Sequence, residues 1–406
     1  MTDAAQRGRA SPVADDRSDW PRIWLLLLAG VVCAMQIGKV PPALSLLRSD
    51  LGVGLVASAW ILSMFSAVGA LFGSVAGAFA DRFGARHVTV ASLLAMALAA
   101  GLGATSSGAT LLLVSRAVEG AGFVVTVVAV PSLLTAAAVG RDRRFVPSLW
   151  GAYMPVGMAV ALAAAPAIIS ALGWRWWWQF NAALLAALAL AVARSNSRTH
   201  AGGARQVQRF GSLLRASLLR PGTLLLAAMF ACYAFQFLAI VGFLPTILQQ
   251  RGISSRAAGA LTALAVLANA AGNLSAGWLF SRGLTPRQLI CTGFAVMVVA
   301  EFVVFSRWSV PSLQYVAAVA FSALGGLVPA SIFTAIPHIA PAEARSTTMG
   351  IVVQASHIGQ LVGPPTVAAV AAAVGGWHAS PLVLVPVAAI GLAAALSLPR
   401  SGTMAG

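Results

Sequence analysis

Charged side chains are scarce in this sequence, and their scarcity limits the class of protein. Asp, Glu, Lys and Arg make up only 9% of the 406 residues, whereas 59% of the residues are hydrophobic. A soluble globular domain carries roughly 25% charged residues. The composition therefore excludes an ordinary soluble domain.

Long segments lack charge altogether. No Asp, Glu, Lys or Arg occurs in residues 51–80, 87–115, 145–174, 221–250, 257–281, 308–342 or 346–399. A helix needs about 20 mostly apolar residues to cross the hydrocarbon of a bilayer, so the last segment, with 54 residues, must hold two helices. Because backbone groups in lipid must be paired internally, we expect helices, and the alternation typical of a membrane β-barrel is absent.

We predict an all-α membrane protein with twelve transmembrane helices. The predicted spans are residues 21–46, 54–80, 87–106, 108–135, 146–171, 176–195, 221–249, 256–281, 287–306, 310–338, 346–373 and 380–398. The predicted domains are a disordered cytoplasmic tail (1–19), an N-terminal six-helix bundle (20–195), a cytoplasmic linker (196–220), a C-terminal six-helix bundle (221–399) and a second cytoplasmic tail (400–406). Residues 1–19 do not have the features of a signal peptide.

Arginines are distributed unevenly between the loops. If the N-terminus is cytoplasmic, 19 arginines lie in the tails and loops on that side and 5 lie in the opposite loops. Positive charge favours the cytoplasmic side, so we expect both termini in the cytoplasm and the protein in a bacterial-type inner membrane. The same topogenic role accounts for the net charge of +16 without any binding of nucleic acid.

Residues for other kinds of chemistry are few and scattered. Cys33, Cys232 and Cys291 lie in separate predicted helices, so we expect no disulfide, no metal site and no cofactor. No Ser/His/Asp cluster, His-rich array or Gly-rich phosphate loop stands at a predicted helix end, and no filter motif indicates a channel. We therefore expect neither an enzyme nor a channel.

The two halves of the chain resemble each other. Residues 77–82 end the second predicted helix, and residues 277–282 end the eighth with a similar pattern 200 residues later. At the same offset, Gln36 corresponds to Gln236. Parallel repeats of this kind recur in transporters. The sequence therefore predicts two pseudo-symmetric bundles of six helices each.

The loop after the second predicted helix carries a recognisable motif. It reads Gly77-Ala-Phe-Ala-Asp81-Arg82-Phe83-Gly84-Ala85-Arg86. Gly77 permits close helix packing, Gly84 permits a tight turn with positive φ, and Asp81 lies near a helix C-terminus, where an anion needs a partner. This loop resembles the signature loop of the major facilitator superfamily. The resemblance implies that superfamily's transporter fold, and we expect Gly77, Asp81, Arg82, Gly84 and Arg86 to form a latch for one conformation.

Two other segments resemble members of the same superfamily. Arg116 followed by Gly120 and Gly122 in the fourth predicted helix is similar to a pattern that is frequent in the family. The segment Gly151-Ala-Tyr153-Met-Pro155-Val-Gly157 looks like the cyanate and nitroimidazole transporter branch. The fifth helix lacks the Gly-Pro dyad with following glycines that is typical of drug–proton antiporters, which disfavours drug efflux without excluding it.

Four charged residues remain inside predicted spans: Lys39, Arg116, Glu119 and Glu301. A charge at the centre of a membrane helix costs about 2.5–3.5 kcal/mol on insertion scales, so such residues are candidates for function. Lys39 is the only lysine and lies three residues after Gln36, on the same helix face. It either binds an anionic solute or extends to the membrane interface.

Arg116 and Glu119 are three residues apart and can pair on one helix. They either brace the bundle or act in coupling, with Glu119 taking up a proton and Arg116 released to bind an anion. If Arg116 faces Lys39, two cations and one anion share a site, which favours an anionic solute. Glu301 is a weaker candidate for coupling, and its role stays open.

Neutral polar residues dominate the second half. Tyr233 and Gln236 are three residues apart, and Asn269 and Asn273 are four apart; a third set, Gln354, His357 and Gln360, has a spacing of three. Each set either contacts solute or forms hydrogen bonds between helices. His357 is a candidate proton carrier because imidazole titrates near neutral pH. Tyr153 completes the candidate solute-binding residues, and we interpret the tryptophans of residues 174–178 as an interfacial anchor.

These features together predict a secondary transporter that works by alternating access between two bundles. The preferred interpretation is uptake of a small anion with a proton. The alternative is proton-coupled efflux of drugs or metabolites. The expected partners are a small polar solute, a proton as coupling ion and the lipid bilayer, and the expected oligomeric state is a monomer.

Overall fold

The chain is almost entirely helical where its structure is described. A computed structural model describes residues 17–74, 83–195, 214–215, 217–341 and 344–398. Within these residues, twelve helices are long and apolar enough to cross a membrane. The prediction of an all-α protein with twelve membrane helices is therefore confirmed. The predicted linker falls mostly outside the described residues.

The helices are numbered here in chain order. The first six are α1 (Trp20–Leu51), α2 (Leu55–Phe72), α3 (Ala85–Ala104), α4 (Ala109–Ala137), α5 (Tyr153–Leu172) and α6 (Trp174–Arg194). The last six are α7 (Pro221–Gln250), α8 (Ser255–Ser281), α9 (Pro286–Val304), α10 (Pro311–Ile339), α11 (Arg345–Val374) and α12 (Pro381–Leu396). A short helix, Asp142–Gly151, leads into α5, and a 3-10 turn, Trp377–Ala379, leads into α12.

Three of these helices are interrupted. The interrupted helices are α1 (Trp20–Gly38, a 3-10 turn at Pro41–Ala43, then Leu44–Leu51), α2 (Leu55–Ser63, a 3-10 turn at Met64–Ser66, then Ala67–Phe72) and α10 (Pro311–Gly325, then Leu327–Ile339). Proline lacks an N–H and disrupts a helix interior. In the sequence, Pro41 and Pro42 predict a bend in α1 just beyond Lys39, and the 3-10 turn Pro41–Ala43 confirms it.

Signals in the sequence set several helix ends. The Asp19 side chain accepts a hydrogen bond from the Arg22 N–H at 3.1 Å and caps α1. Thr285 and Gln288 form a capping box at the start of α9. Gly84 precedes α3 with a φ of +83°, a conformation that favours glycine. The tight turn predicted at Gly84 is confirmed.

The first six helices meet the last six along three seams. α2 packs against α11, α5 packs against α8, and the broken part of α1 packs against α7. Large apolar side chains also cover outward faces, such as Leu98 (69% exposed), Leu274 (62%) and Val299 (65%). Such surfaces are unfavourable in water but match the acyl chains of a bilayer. The polar groups that could carry function lie inside these faces.

Candidate functional site

Lys39, Arg116 and Glu119 come together in one ionic cluster, which is named here the charge triad. The Lys39 Nζ lies 2.8 Å from Glu119 Oε1, and Arg116 Nη1 donates to the other carboxylate oxygen, Glu119 Oε2. All three side chains are 0% exposed. The triad joins α1 to α4. Arg116 and Glu119 pair, as their spacing allows, and Lys39 approaches them, which the sequence left as a condition.

Polar and aromatic groups surround the triad. Lys39 Nζ also donates to Gln36 Oε1 at 2.9 Å, and Gln36 Nε2 donates to Asn181 Oδ1 of α6 at 3.0 Å. The ammonium lies 4.9 Å from the centre of the Trp178 ring, a cation–π contact. Because Lys39 is enclosed in this way, the alternative in which it extends to the membrane interface is wrong.

The break in α1 helps to place Lys39. In a continuous helix the carbonyl of Lys39 would accept the N–H of Ala43, but Ala43 N donates instead to Val40 O at 2.9 Å. Trp177 Nε1 of α6 fills the gap and donates to Lys39 O at 3.2 Å. The 3-10 turn that begins at Pro41 thus leaves the Lys39 carbonyl free for a bond that ties the residue to α6.

The triad carries more positive than negative charge. An arginine is protonated in proteins, so Arg116 and a charged Lys39 together exceed Glu119 by one unit. Arg116 Nε donates to Ile61 O at 3.3 Å, and its guanidinium lies 4.6 Å from the Phe65 ring centre. Its Nη2 is buried and has no hydrogen-bond partner among the described residues. A buried donor beside surplus positive charge is suited to an anion.

Three of the four tryptophans in residues 174–178 do not form the predicted interfacial anchor. Trp174, Trp177 and Trp178 are 1%, 0% and 0% exposed, whereas Trp176 is 61% exposed. Positions i, i+3 and i+4 share one helix face, and here that face packs inside the protein, against α1 and α3. The anchor interpretation was wrong for three of the four tryptophans, because it ignored this spacing.

Polar residues of α7 and α8 bond mainly to protein. The Asn269 amide donates to the Tyr233 hydroxyl at 2.9 Å and to Ser322 O of α10 at 2.8 Å. Gln236 Nε2 donates to Cys232 O at 2.8 Å, but Gln236 Oε1 is buried without a hydrogen-bond partner among the described residues. Asn273 lies one turn beyond Asn269 and is partly buried. In this set, Gln236 keeps an acceptor available for a solute or water.

The polar stripe of α11 faces α2. Gln354 Nε2 donates to Ala70 O at 2.8 Å and to Leu71 O at 3.2 Å, and Gln354 Oε1 accepts from Ser74 N at 3.3 Å. Gln360 Oε1 accepts from the Ser66 hydroxyl at 2.8 Å. Gln354 therefore satisfies backbone groups where the described part of α2 ends, and the stripe joins the first six helices to the last six.

His357 lies between these two glutamines and packs against Gly69. A Cβ built on Gly69 would approach the imidazole Cγ to 2.5 Å and Nδ1 to 2.8 Å. The residue is buried, and its Nδ1 has no hydrogen-bond partner among the described residues. Only a residue without a side chain leaves room for the ring at this position of α2.

The structure describes part of the predicted latch and the surroundings of Tyr153. Gly77, Asp81 and Arg82 lie outside the described residues. Arg86 Nη2 donates to Ala193 O at the end of α6, which ties α3 to α6. The Tyr153 ring stacks on Trp150, with centroids 4.3 Å apart. The latch stays a prediction, as does solute binding by Tyr153.

Two polar participants were missed from the sequence. Asn181 holds Gln36 at the triad, and Ser66 holds Gln360 at the stripe. Asn181 is a lone amide in an apolar span, and the rule that polar side chains in membranes face the interior would have found it. Ser66 carries no comparable signal, because serine is common in membrane helices.

Comparison with known proteins assigns the family. The family model described as Major Facilitator Superfamily matches residues 26–282 and 224–404. Many solved structures share the fold, and two serve as examples. They are a bacterial homolog to the human lysosomal transporter Spinster (TM-score 0.76, 14% identity, 92% of this chain and 94% of that chain) and a D-xylose–proton symporter (TM-score 0.75, 15% identity, 92% and 95%).

Curated relatives are distant in sequence. The putative niacin/nicotinamide transporter NiaP of Bacillus subtilis is 24% identical over 84% of this chain and 85% of that protein. An uncharacterized MFS-type transporter of Mycobacterium tuberculosis is 26% identical over 43% of this chain, but the match spans only 30% of that protein. The lincomycin resistance protein of Streptomyces lincolnensis is 27% identical over 47% of this chain and 39% of that protein. From the family match and the shared fold, the chain belongs to the Major Facilitator Superfamily.

Proposed function

We propose that this protein is a secondary transporter that takes up a small anionic solute together with a proton. The observation that carries the proposal is the charge triad, in which two buried cations share one carboxylate and Arg116 Nη2 has no partner in the described part of the chain. Burying an unbalanced charge is unfavourable. A bound anion would balance it, so the site is suited to a negatively charged solute.

Glu119 links the anion to the proton. While Glu119 is ionised, one carboxylate oxygen accepts a hydrogen bond from Lys39 and the other accepts one from Arg116. If Glu119 binds a proton, it no longer neutralises the cations, and an anion takes its place between them. Proton and anion then load as a neutral pair, which avoids moving net charge through the low-dielectric interior. Alternation of the two six-helix halves would carry the pair across the membrane.

A relative that aligns with most of this chain suggests a class of solute. The Bacillus protein is named a putative niacin/nicotinamide transporter, and niacin is a pyridine carboxylate at neutral pH. A small aromatic or aliphatic carboxylate fits both that name and the triad. We include Tyr153, Tyr233, Gln236, Asn269, Asn273, Gln354, His357 and Gln360 as candidate contacts in this proposal. The cyanate and nitroimidazole branch is supported only by the pattern of residues 151–157.

The placement in the membrane is also part of the proposal. The arginine bias of 19 to 5 supports cytoplasmic termini in a bacterial-type inner membrane. A monomer is proposed because each chain would supply both halves of the transport unit. Asp81, with Gly77, Arg82, Gly84 and Arg86, is proposed as the conformational latch on that cytoplasmic side.

A ligand-stability measurement tests the anion site. Nicotinate should raise the unfolding temperature of the purified wild-type protein, whereas nicotinamide, its uncharged analogue, should not. Ligand at 100 times its Kd stabilises a protein by about 2.7 kcal/mol. The variant Lys39→Met removes the surplus charge and should lose this stabilisation.

The matched control for that measurement is Arg175→Gln. Arg175 pairs with Asp50 at 2.9 Å, but its side chain is 46% exposed and lies outside the triad. This variant should keep the response to nicotinate. If Lys39→Met and the wild-type protein respond equally to every carboxylate that stabilises either of them, Lys39 is not part of the solute site.

Efflux is the second candidate function, because a relative named for lincomycin resistance aligns with half of the chain. Reconstituted liposomes separate the two functions. For uptake, an inward gradient of the carboxylate should acidify the lumen, and Glu119→Gln should abolish the acidification. For efflux, an imposed proton gradient should drive a cationic dye out against its own gradient while carboxylates move no protons.

A further inference from the structure

Glu301 of α9 is a second buried carboxyl, and its surroundings are unlike those of Glu119. It lies one turn before the end of α9 at Val304 and is 0% exposed. Both of its carboxyl oxygens are buried without a hydrogen-bond partner among the described residues. Glu119, in contrast, has a cation at each oxygen. The chain thus buries one acid among cations and another in an apolar setting.

Among the described residues, α10 and α12 make the main contacts with α9, and neither supplies a cation to Glu301. The titratable groups of α10 are Tyr315, whose hydroxyl donates to Leu261 O of α8 at 2.8 Å, and His338, which is exposed at the far end of the helix. Residues 381–396 of α12 contain no titratable side chain.

The basic groups nearest in sequence are also engaged elsewhere. On α9, Arg287 Nη2 donates to Leu396 O at 2.7 Å, and it stands fourteen residues from Glu301, about 21 Å along a helix. Cys291, the other titratable group of α9, stands ten residues away. After α9, Arg307 Nη2 lies 2.9 Å from the His378 ring Nε2. None of the three ion pairs formed by the described residues includes Glu301.

A carboxylate without donors is strongly disfavoured in an apolar interior, and such a group binds a proton instead. We propose that Glu301 is a proton-binding site of the second half of the chain and is a neutral carboxylic acid in the conformation shown. The ligand of this proposed site is a proton. The site is separate from Glu119. Evidence against the coupling proposed for the triad would therefore not contradict proton binding at Glu301, and the reverse also holds.

The position of Glu301 ties its proton to a movement of α9. The carboxyl can ionise only if water or a cation reaches it, and the side chain is 0% exposed where α9 packs against α10 and α12. Release of the proton therefore requires the end of α9 near Val304 to separate from these helices. A conformational change of the second half would expose the acid, and the pH on that side would then bias the change.

Carbodiimide labelling tests the proposal. Dicyclohexylcarbodiimide is apolar and reacts with a protonated carboxyl. The acid O–H adds across a C=N bond of the reagent, and an acyl shift then gives a stable N-acylurea. In detergent near neutral pH, peptide mass spectrometry should find Glu301 labelled at least tenfold more than Glu119. Labelling should fall as the pH is raised, and Glu301→Gln should remove the adduct.

An infrared measurement tests the same proposal if dicyclohexylcarbodiimide cannot reach Glu301. The difference spectrum between wild-type protein and Glu301→Gln should show the C=O stretch of a carboxylic acid near neutral pH, and this band should shift in D2O. Asp50→Asn, which changes an exposed acid, should show no such band. Folded wild-type protein that gives a carboxylate signal for Glu301 near neutral pH, with no acid band, would overturn the proposal.

Discussion

Of the three triad residues, Glu119 should cause the largest loss of stability when it is replaced. Glu119→Gln leaves Lys39 and Arg116 buried without a counter-charge. Breaking a buried ion pair on one side typically destabilises a protein by about 3–5 kcal/mol. We expect a large drop in the unfolding temperature in detergent, which added carboxylate should partly restore because it supplies the missing negative charge.

The exposed ion pair provides the comparison for Glu119. Asp50→Asn breaks a pair whose side chains are 46% and 41% exposed, and pairs of this kind contribute about 0–1 kcal/mol. Its unfolding temperature should stay near that of the wild type and should not depend on carboxylate. An equally small effect of Glu119→Gln would mean that the triad is solvated or uncharged in the folded protein.

At the residue scale, the sequence predicted the triad because charge is rare inside membrane helices. Lys39, Arg116 and Glu119 were each identifiable from position alone. It was not predictable that Arg116 Nη2 and the Glu301 carboxyl oxygens would lack a hydrogen-bond partner among the residues that the structure describes. Whether a donor or an acceptor is satisfied depends on groups from other helices, such as the Asn181 side chain of α6 and the Ile61 carbonyl of α2.

At the element scale, the contact between α2 and α11 depends on the missing side chain of Gly69. In Gly69→Val the new side chain would overlap the His357 ring, since even a Cβ would approach it to 2.5 Å. Overpacking of this kind typically costs about 1–3 kcal/mol. We expect lower stability and slower transport, measured by thermal unfolding and by counterflow in liposomes.

A second substitution shows whether that effect is local. His357→Ala removes the ring and leaves room for the valine, so the double variant should recover stability relative to Gly69→Val alone. The coupling energy of this double-mutant cycle should lie within about 0.5–3 kcal/mol, the range for residues in contact. Strict additivity of the two changes would show that Gly69 and His357 do not touch in the membrane.

The interruptions of the helices show which distortions a local sequence pattern can predict and which it cannot. Pro41 and Pro42 predicted the break in α1, because proline acts on its own helix. The 3-10 turn Met64–Ser66 in α2 was not predicted, and residues 55–72 contain no proline. Contacts with α4 and with the α11 stripe accompany this turn. Such a distortion depends on packing between distant segments, which a single sequence does not encode in any local pattern.

At the scale of the whole molecule, the two halves share a pattern but differ in charge. Gln36 Nε2 donates to Val32 O at 3.1 Å, and Gln236 Nε2 donates to Cys232 O at 2.8 Å, four residues back in each case. The predicted offset of 200 residues therefore relates equivalent bonds. Lys39, however, corresponds to Ala239. Gln36 Oε1 accepts a hydrogen bond from the Lys39 ammonium, whereas the alanine cannot donate one to Gln236 Oε1. The ion pairs of the described residues all lie in the first half.

Alternating access requires some contacts between the halves to break while others persist. On the side opposite the N-terminal end of α1, Ser45 of α1 and Gln249 of α7 approach to 3.4 Å between Oγ and Oε1. Near the middle of the spans, Ser66 of α2 and Gln360 of α11 are 2.8 Å apart. If the halves rock about the α2–α11 seam, the first pair should separate during transport and the second should move little.

Cross-linking distinguishes these two contacts. With Cys33, Cys232 and Cys291 replaced by alanine, Ser45→Cys with Gln249→Cys should form a disulfide or react with a short bismaleimide. This link should abolish counterflow, and reduction of the disulfide should restore it. Ser66→Cys with Gln360→Cys, linked in the same way, should keep most of the activity, because a seam near the pivot changes little. Each single-cysteine protein controls for the substitution itself. Full counterflow in the protein linked between residues 45 and 249 would mean that these ends of α1 and α7 stay together, and access from that side would then need another route.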